Sequence, residues 1–206
     1  QVLQKADPFT TLATLRNPAA QWLRNHIAPI LGSFPLVQDK MRASFFELSI
    51  NYRHSFLSGQ KWPRSRGGLA AGDRLCATRV LAATDRRETT LFEIIRGTRH
   101  ALLLLPGSNA QDAVSELLAL AAASASAFPN LLSPHLIMKG DAVGSKPTDV
   151  GTPVWIDADG QLHEKLHADS PTLVLVRPDG YIGYRCQPAD GEALAEHLSG
   201  YLTSSG

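Results

Sequence analysis

The apolar and polar positions change their pattern twice along the chain. Residues 1–50 predict helices, because Leu23, Ile27 and Ile30 recur at helical spacing after the start signal Asn17-Pro18. The next stretch is interrupted by glycine, proline and arginine, which is typical of a linker. After it, short apolar runs alternate with helical patterns. The sequence therefore predicts three parts: a helical arm at 1–50, a linker at 51–72 and an α/β domain at 73–206.

The third part predicts a mixed sheet flanked by helices. Ala101–Leu105 is an apolar run typical of a strand buried on both faces, and a helical pattern at Gln111–Phe128 joins it to a second buried strand at His135–Met138. Two strands joined by a helix are expected to be parallel. Leu173–Val176 and Tyr181–Arg185 flank a Pro-Asp-Gly turn and predict an antiparallel hairpin. Further elements are predicted as strands at Arg79–Leu81 and Val154–Ile156, and as helices at Thr90–Arg96, Leu162–Leu166 and Gly191–Leu202, the last capped by Asp190.

Composition and charge exclude several classes of protein. The net charge of the 206 residues is +1 and no basic block occurs, so binding to nucleic acid has no electrostatic support. No apolar run approaches the length of a membrane span. Cys76 and Cys186 form neither a secreted disulfide framework nor a Cys-x-x-Cys site. Because the chain begins with Gln1 and shows no signal peptide, we expect a cytoplasmic fragment of a longer protein, or a processed product.

The predicted order of elements from residue 101 onward is that of thioredoxin-like proteins. Ser170–Val176 resembles the Pro-Thr-strand region of thioredoxins, in which the proline is cis, and this resemblance implies a cis peptide bond before Pro171. The redox cysteines of thioredoxins lie in the loop after the first buried strand. Here that loop, Pro106–Ala110, contains no cysteine. Dithiol exchange of the thioredoxin or peroxiredoxin type therefore has no chemical basis in this loop.

A more specific resemblance covers nearly the whole chain. Leu175–Arg185, which reads LVRPDGYIGYR, resembles the ending of large FAD-dependent aromatic hydroxylases such as phenol hydroxylase. Glu47–Ser55, Ala71–Leu75 and Leu91–Leu105 follow the order and spacing of the same family. Cys76 stands where the family commonly has proline. We expect structural roles for Arg177, Pro178, Asp179, Gly180, Tyr181 and Arg185 in this ending, and for Pro171 in the thioredoxin-like segment before it.

This resemblance implies a C-terminal accessory domain that is not catalytic alone. The parent enzyme would use FAD and NAD(P)H to insert one oxygen atom from O2 into a phenolic or polyketide ring. This chain has no G-x-G-x-x-G after a strand, and its Gly140-Asp141-Ala142 follows a thioredoxin-like strand, so we expect neither a cofactor site nor catalytic residues in it. The expected partner is its own N-terminal flavin domain, with a homodimer as an open alternative. Another alternative is a stand-alone thioredoxin-fold protein with a binding or redox function.

One further motif points to different chemistry. His163, Glu164 and His167 match H-E-x-x-H, which on a helix places two imidazoles on one face to bind zinc, with the glutamate as general base. Gly160 and Pro171 confine the helix to about two turns, and no third ligand is evident. A zinc hydrolase is therefore the remote alternative. The structural alternative is a short exposed helix whose polar residues face water.

Overall fold

The fold is a single eight-stranded mixed sheet with helices on both faces. The computed structural model describes residues 51–63, 68–107, 110–140 and 151–202, so the predicted helical arm lies outside the described residues. The strands are β1 Gly59–Lys61, β2 Arg79–Ala82, β3 Glu88–Thr90, β4 His100–Leu105, β5 Leu132–Lys139, β6 Val154–Asp157, β7 Thr172–Val176 and β8 Ile182–Cys186. The helices are α1 Leu91–Ile94, α2 Ala110–Ala127, α3 Gln161–Leu166 and α4 Gly191–Leu202. Within these ranges, no helix combines the length and apolar character needed to cross a membrane.

The sheet contains the two strand pairings that the apolar pattern predicts. Its strand order is β1-β8-β7-β4-β5-β6-β2-β3. The strands β4 and β5, joined by α2, are parallel, and β7 and β8 form the predicted antiparallel hairpin. β4 and β7 are also antiparallel, with Leu103 opposite Val174. The mixed α/β class is therefore confirmed.

The central strand β4 divides the core into two layers. Leu102 and Leu104 pack with α2 and α4 on one face of the sheet, whereas Leu103 and Leu105 pack with α1 and α3 on the other. All four leucines are completely buried. A strand that is covered on both faces needs apolar residues at every position, because alternate side chains point to opposite faces. This confirms the interpretation of the continuous run at Ala101–Leu105.

Two helix starts follow the capping rules read from the sequence. The Thr90 hydroxyl accepts the Glu93 N–H, and the Glu93 carboxylate accepts the Thr90 N–H, so Thr90 caps α1 in a capping box. The hydrogen bond from the Thr89 hydroxyl, followed by the one from the Thr90 N–H, lowers the pKa of the Glu93 carboxyl group. The carboxylate of Asp190 accepts the Ala193 N–H at 3.0 Å and caps α4, as predicted.

Strand β5 is longer at its start than the predicted His135–Met138, and it includes Pro134. A proline cannot donate a ladder hydrogen bond, so it is normally excluded from a central strand. Here β6 begins opposite Leu136, so Pro134 has a strand neighbour only on the β4 side. The proline is tolerated because this end of β5 is locally an edge.

The segment expected to be a linker contributes a strand to the sheet. β1 pairs in parallel with β8, with Gly59 opposite Tyr184, and the Gln187 N–H donates to the Lys61 carbonyl at 3.0 Å. All described residues belong to one compact unit, Ile50–Gly206. The prediction that 51–72 is a linker therefore does not hold at Gly59–Lys61, which form a strand of the sheet. The other boundaries of the three-part division stay predictions.

Candidate functional site

Gly107 begins the loop after β4, where thioredoxins carry their redox cysteines, and it packs directly against the backbone of another segment. Gly107 has φ +79°, and a Cβ atom at this position would lie 2.6 Å from the Cα of Ser170 and 2.7 Å from the carbonyl oxygen of Asp169. Only glycine permits so close an approach of two chain segments in this conformation. The start of this loop is therefore a packed contact with the segment before β7.

The expectation of a cis bond before Pro171 is wrong. The Ser170–Pro171 peptide is trans, and the cis X-Pro bond among the described residues lies at Gln187–Pro188. The Thr172 hydroxyl donates to the Ser170 carbonyl at 2.7 Å, and the Pro171 carbonyl accepts the Ala189 N–H at 2.9 Å. A trans bond is the intrinsic preference before proline, and these contacts hold it in place.

Gln187 connects the segments around this loop, and nothing in the sequence singled it out. It is 4% exposed, and the two N–H groups of its Nε2 are shared among the carbonyls of His167 and Ser170 and the Thr172 hydroxyl, at 3.0–3.4 Å. A buried amide that bridges three acceptors fixes the spacing between the strands it joins. In the region that is catalytic in thioredoxins, the side-chain amide of Gln187 and the close backbone contact of Gly107 thus hold neighbouring segments together.

Neither cysteine supplies a thiol to this region. Cys186 is completely buried at the end of β8, and burial raises the pKa of its thiol to about 11. Cys76 follows Leu75, whose N–H donates to the Gly180 carbonyl at the opposite end of β8. The length of the strand separates the two thiols by about 13 Å or more, beyond the reach of a disulfide. Both are free thiols.

Three of the four segments that carry the hydroxylase resemblance meet at one place. The Tyr52 N–H donates to the Gly72 carbonyl at 2.7 Å, and the Gly72 N–H donates to the Ile182 carbonyl at 2.7 Å. The Ile182 N–H donates in turn to the Asp73 carbonyl at 2.9 Å. We call this meeting point of 52–53, 72–73 and 181–182 the motif junction. It joins parts of the chain that are more than a hundred residues apart.

An ion pair reinforces the motif junction. Arg53 donates from Nε and from one terminal nitrogen to the two carboxylate oxygens of Asp73, both at 2.7 Å. Asp73 also accepts the Ala70 N–H at 2.8 Å. The Asp73 side chain is mostly buried, whereas Arg53 is about half exposed. The hydrogen bonds and the charge of the Asp73 carboxylate raise the pKa of Arg53, as expected for a charge-assisted pair.

Aromatic rings and arginines cover the motif junction. Tyr52 packs edge-on against Tyr181, with 4.8 Å between the ring centroids. The Arg177 guanidinium lies over Tyr52, and that of Arg74 lies over Tyr181, each within 6 Å of the ring centroid. Such cation–π contacts add about 0.5–1 kcal/mol each at exposed positions.

The hairpin turn explains the remaining motif residues at this end of β8. The Gly180 N–H donates to the Arg177 carbonyl at 2.9 Å, which closes the turn through Pro178 and Asp179. The Asp179 carboxylate accepts from the Arg177 side chain and from the Tyr181 N–H. Gly180 has φ +83°, a conformation that favours glycine. These contacts support the structural roles expected for Arg177–Tyr181.

Arg185 has a separate and deeply buried position. It is 3% exposed, and its guanidinium carbon lies 4.0 Å from the ring centroid of Trp62. Its nitrogens donate to the Gln60 side chain at 2.9 Å and to the Leu69 carbonyl. Burial lowers the pKa of Arg185 to about 10. Arg185 therefore attaches β1 and the segment at Leu69 to the face of β8.

The geometry required for the zinc alternative is absent. Helix α3 ends at Leu166, and His167 follows with φ +52° and is exposed, whereas His163 is buried. The Nδ1 atom of His163 lies 2.8 Å from the Asp157 carboxylate, which also accepts the N–H groups of Leu162 and His163 at 3.0 Å. The two imidazoles thus do not share a helix face. In the described ranges, no group of three or more His, Cys, Asp or Glu side chains is placed to hold a metal ion.

Comparison with known proteins identifies the class of fold. No family model matches the chain, and no curated protein matches it. The lipoprotein thioredoxin Etrx1 of Streptococcus pneumoniae is 15% identical, with a TM-score of 0.47, over 61% of this chain and 99% of that one. A thiol peroxidase of Chromobacterium violaceum is 13% identical, with a TM-score of 0.49, over 70% of this chain and 97% of that one.

A larger protein matches more of the chain. The flavin-dependent monooxygenase PieE, solved in complex with FAD and substrate, is 20% identical with a TM-score of 0.53. The match covers 92% of this chain, and the chain spans 31% of PieE. At this identity the likeness shows the fold alone. The described residues thus form a mixed α/β fold, an eight-stranded sheet flanked by helices, and its structural neighbours include thioredoxin-fold proteins.

Proposed function

We propose that this chain is the C-terminal accessory part of a cytoplasmic FAD- and NAD(P)H-dependent aromatic hydroxylase, in which it acts as a scaffold. The motif junction is the observation that carries this proposal. The segments that resemble the hydroxylase family are remote in sequence, and Tyr52, Gly72 and Ile182 are linked there by main-chain hydrogen bonds. A shared structural junction gives a physical reason for these segments to occur together.

The match to PieE supports the same proposal through its coverage. It extends over 92% of this chain but only 31% of PieE, as expected if the chain corresponds to one part of a larger flavoprotein. In such a parent the flavin would supply the oxygen-activating chemistry. The role of this chain would be to pack on its own flavin domain, with a homodimer contact as the other arrangement.

A stand-alone thioredoxin-fold binding protein is the second candidate, and the fold supports it as well. A thiol-redox version of this candidate lacks its chemistry, because Cys186 is buried with a raised pKa and the loop at Pro106–Ala110 has no cysteine. The stand-alone candidate is therefore a binding module without a redox centre.

The first test is the length and visible spectrum of the native protein, isolated from its source with an antibody against this chain. The proposal predicts a yellow protein about three times as long as the 206 residues, with flavin absorbance. A colourless native chain of 206 residues would contradict the proposal and support the stand-alone module.

A second test addresses redox function directly. The purified chain is assayed for reduction of insulin disulfides with dithiothreitol as the electron source. We expect no turnover above the background rate. Turnover that disappears in the Cys76→Ser/Cys186→Ser double variant would contradict both candidates, and the double variant also controls for contaminating thioredoxin.

A further inference from the structure

A groove lies between helices α2 and α4 on one face of the sheet. It encloses about 550 Å³ and is open to the surface. Its lining is largely apolar and includes Leu120, Ala123, Ala127, Phe128, Ala189 and Ala195. This volume is within the range that is typical of ligand-binding sites in proteins, and it is larger than a packing defect.

Small side chains line the groove and leave room for side chains from a partner. Positions 120, 123 and 127 recur at helical spacing, so they form one ridge of α2. Gly191 lies opposite this ridge, and a Cβ atom there would come within 3.2 Å of the Leu120 side chain. The larger residues of α4, Leu194 and Leu198, are completely buried against the sheet and are not available to fill the space.

The Asp and Glu residues of the two helices that border the groove have no lysine or arginine beside them on those helices. Neither α2 nor α4 contains lysine or arginine, although the whole chain has a net charge of +1. Glu192 lines the groove, Glu196 follows one turn later on the same face of α4, and both are exposed. The last turn of α2 has no basic residue to offset the negative end of its helix dipole. Lys61 is paired with Asp190 at 2.8 Å and also interacts electrostatically with Glu196, so it offsets part of the acidic charge at this rim, and Glu192 keeps its full charge toward the groove.

We propose that this groove binds a polypeptide helix with an apolar face flanked by lysine or arginine. The apolar lining provides the burial, and the glutamates together with the α2 dipole select basic flanks. A second copy of this chain docking through the same face is disfavoured, because it would place like charges of two acidic helix pairs against each other. The proposal does not depend on the flavoenzyme assignment.

The probe is a synthetic helical peptide of about 18 residues, with leucine and alanine on one face and lysine on both flanks. A matched peptide carries glutamate at each lysine position. The intact chain is titrated into each fluorescently labelled peptide, and anisotropy is followed at low and at physiological salt. We expect saturable binding of the lysine peptide that weakens with salt, and no binding of the glutamate peptide.

Adjacent alanines on α2 provide a steric test. Ala123→Phe fills the groove, whereas Ala122→Phe adds the same bulk at the neighbouring exposed position outside its lining. We expect the first variant to abolish binding and the second to retain it. Equal binding by both variants would overturn the proposal, because the peptide would then be bound elsewhere.

A charge test separates the acidic rim from general electrostatics. Glu192→Lys/Glu196→Lys is compared with Glu88→Lys/Glu164→Lys, which makes the same change in net charge at exposed positions on other elements. The rim double variant is expected to weaken binding roughly tenfold, with little change in the control pair. Equal effects in both pairs would overturn the proposal. Absence of peptide binding would also overturn the proposal. Self-association of the chain through the groove, shown by its loss in the Ala123→Phe variant, would overturn it as well.

Discussion

Protonation of one buried histidine should make the folded domain less stable below neutral pH. His135 is 5% exposed in β5, and its Nδ1 accepts the indole N–H of Trp155 at 3.2 Å. Its Nε2 lies 3.3 Å from the Ser133 hydroxyl. A neutral ring satisfies both contacts, with one nitrogen as acceptor and the other as donor. Burial, helped by the charge of Arg99, lowers the pKa of His135 from 6.5 to about 4.

The sign and size of the effect follow from these two pKa values. Because the pKa is lower in the folded state, the unfolded chain binds the proton first as the pH falls below 6.5. The contribution to stability is therefore complete above pH 6.5 and is lost progressively down to about pH 4. Between pH 7.5 and pH 5, linkage removes about 2 kcal/mol from the free energy of unfolding.

Urea unfolding at pH 7.5 and pH 5, followed by tryptophan fluorescence, measures this loss. His135→Asn keeps an acceptor for the Trp155 indole but does not titrate, so its loss between the two pH values should be smaller by about 2 kcal/mol. His54→Asn makes the same replacement at an exposed position and is the control. Burial also lowers the pKa of His100 and His197, but their contributions are common to all three proteins. If His135→Asn and the unmodified protein lose the same stability, the reasoning is refuted.

Three further predictions concern the motif junction, α3 and the thiols. Gly72→Ala should lower the free energy of unfolding by at least about 2 kcal/mol, because φ is +88° and the new Cβ would lie 2.3 Å from the backbone nitrogen of Arg53. An unchanged midpoint of urea unfolding would contradict this prediction. Asp157→Ala should lower the free energy of unfolding, measured by heat or urea, by about 3 kcal/mol, because it removes a buried acceptor of several hydrogen bonds. Asp159→Ala, at an exposed position, is the control and should lower it far less. Equal losses of stability would disprove the role assigned to Asp157. In a thiol titration with Ellman's reagent at pH 8, partly exposed Cys76 should react in the native protein and buried Cys186 only after unfolding; two rapidly reacting thiols would show that the assignment is wrong.

Local patterns predicted most of the regular structure. The run Ala101–Leu105 and the helix after it are strong signals, because each depends on burial along a single segment. The Pro-Asp-Gly turn predicted the β7–β8 hairpin for the same reason. The edge strand β1 was missed because its three residues, one glycine and two polar residues, have no strand pattern of their own. Their pairing depends on β8, which lies more than a hundred residues further along the chain.

The candidate sites show where local reasoning stops. The H-E-x-x-H spacing suggests a shared helix face, but the helix ends before His167 and Asp157 holds His163 in the interior. The resemblance to thioredoxins predicts a cis bond before Pro171, but the bond is trans, which is the intrinsic preference before proline. Gln187 and Arg185 owe their roles to acceptors on other elements, which no spacing rule reveals.

The sequence by itself determined the helices and the core strands, the turn that closes the hairpin, and the absence of a cysteine from the loop after β4. These properties follow from propensity and periodicity within short segments, so they need no knowledge of distant neighbours. Tertiary structure alone decided that 52–53, 72–73 and 181–182 meet, and that α2 and α4 leave a groove with acidic flanks. Both features are made of contacts between remote segments, and their geometry exists only after the sheet has assembled.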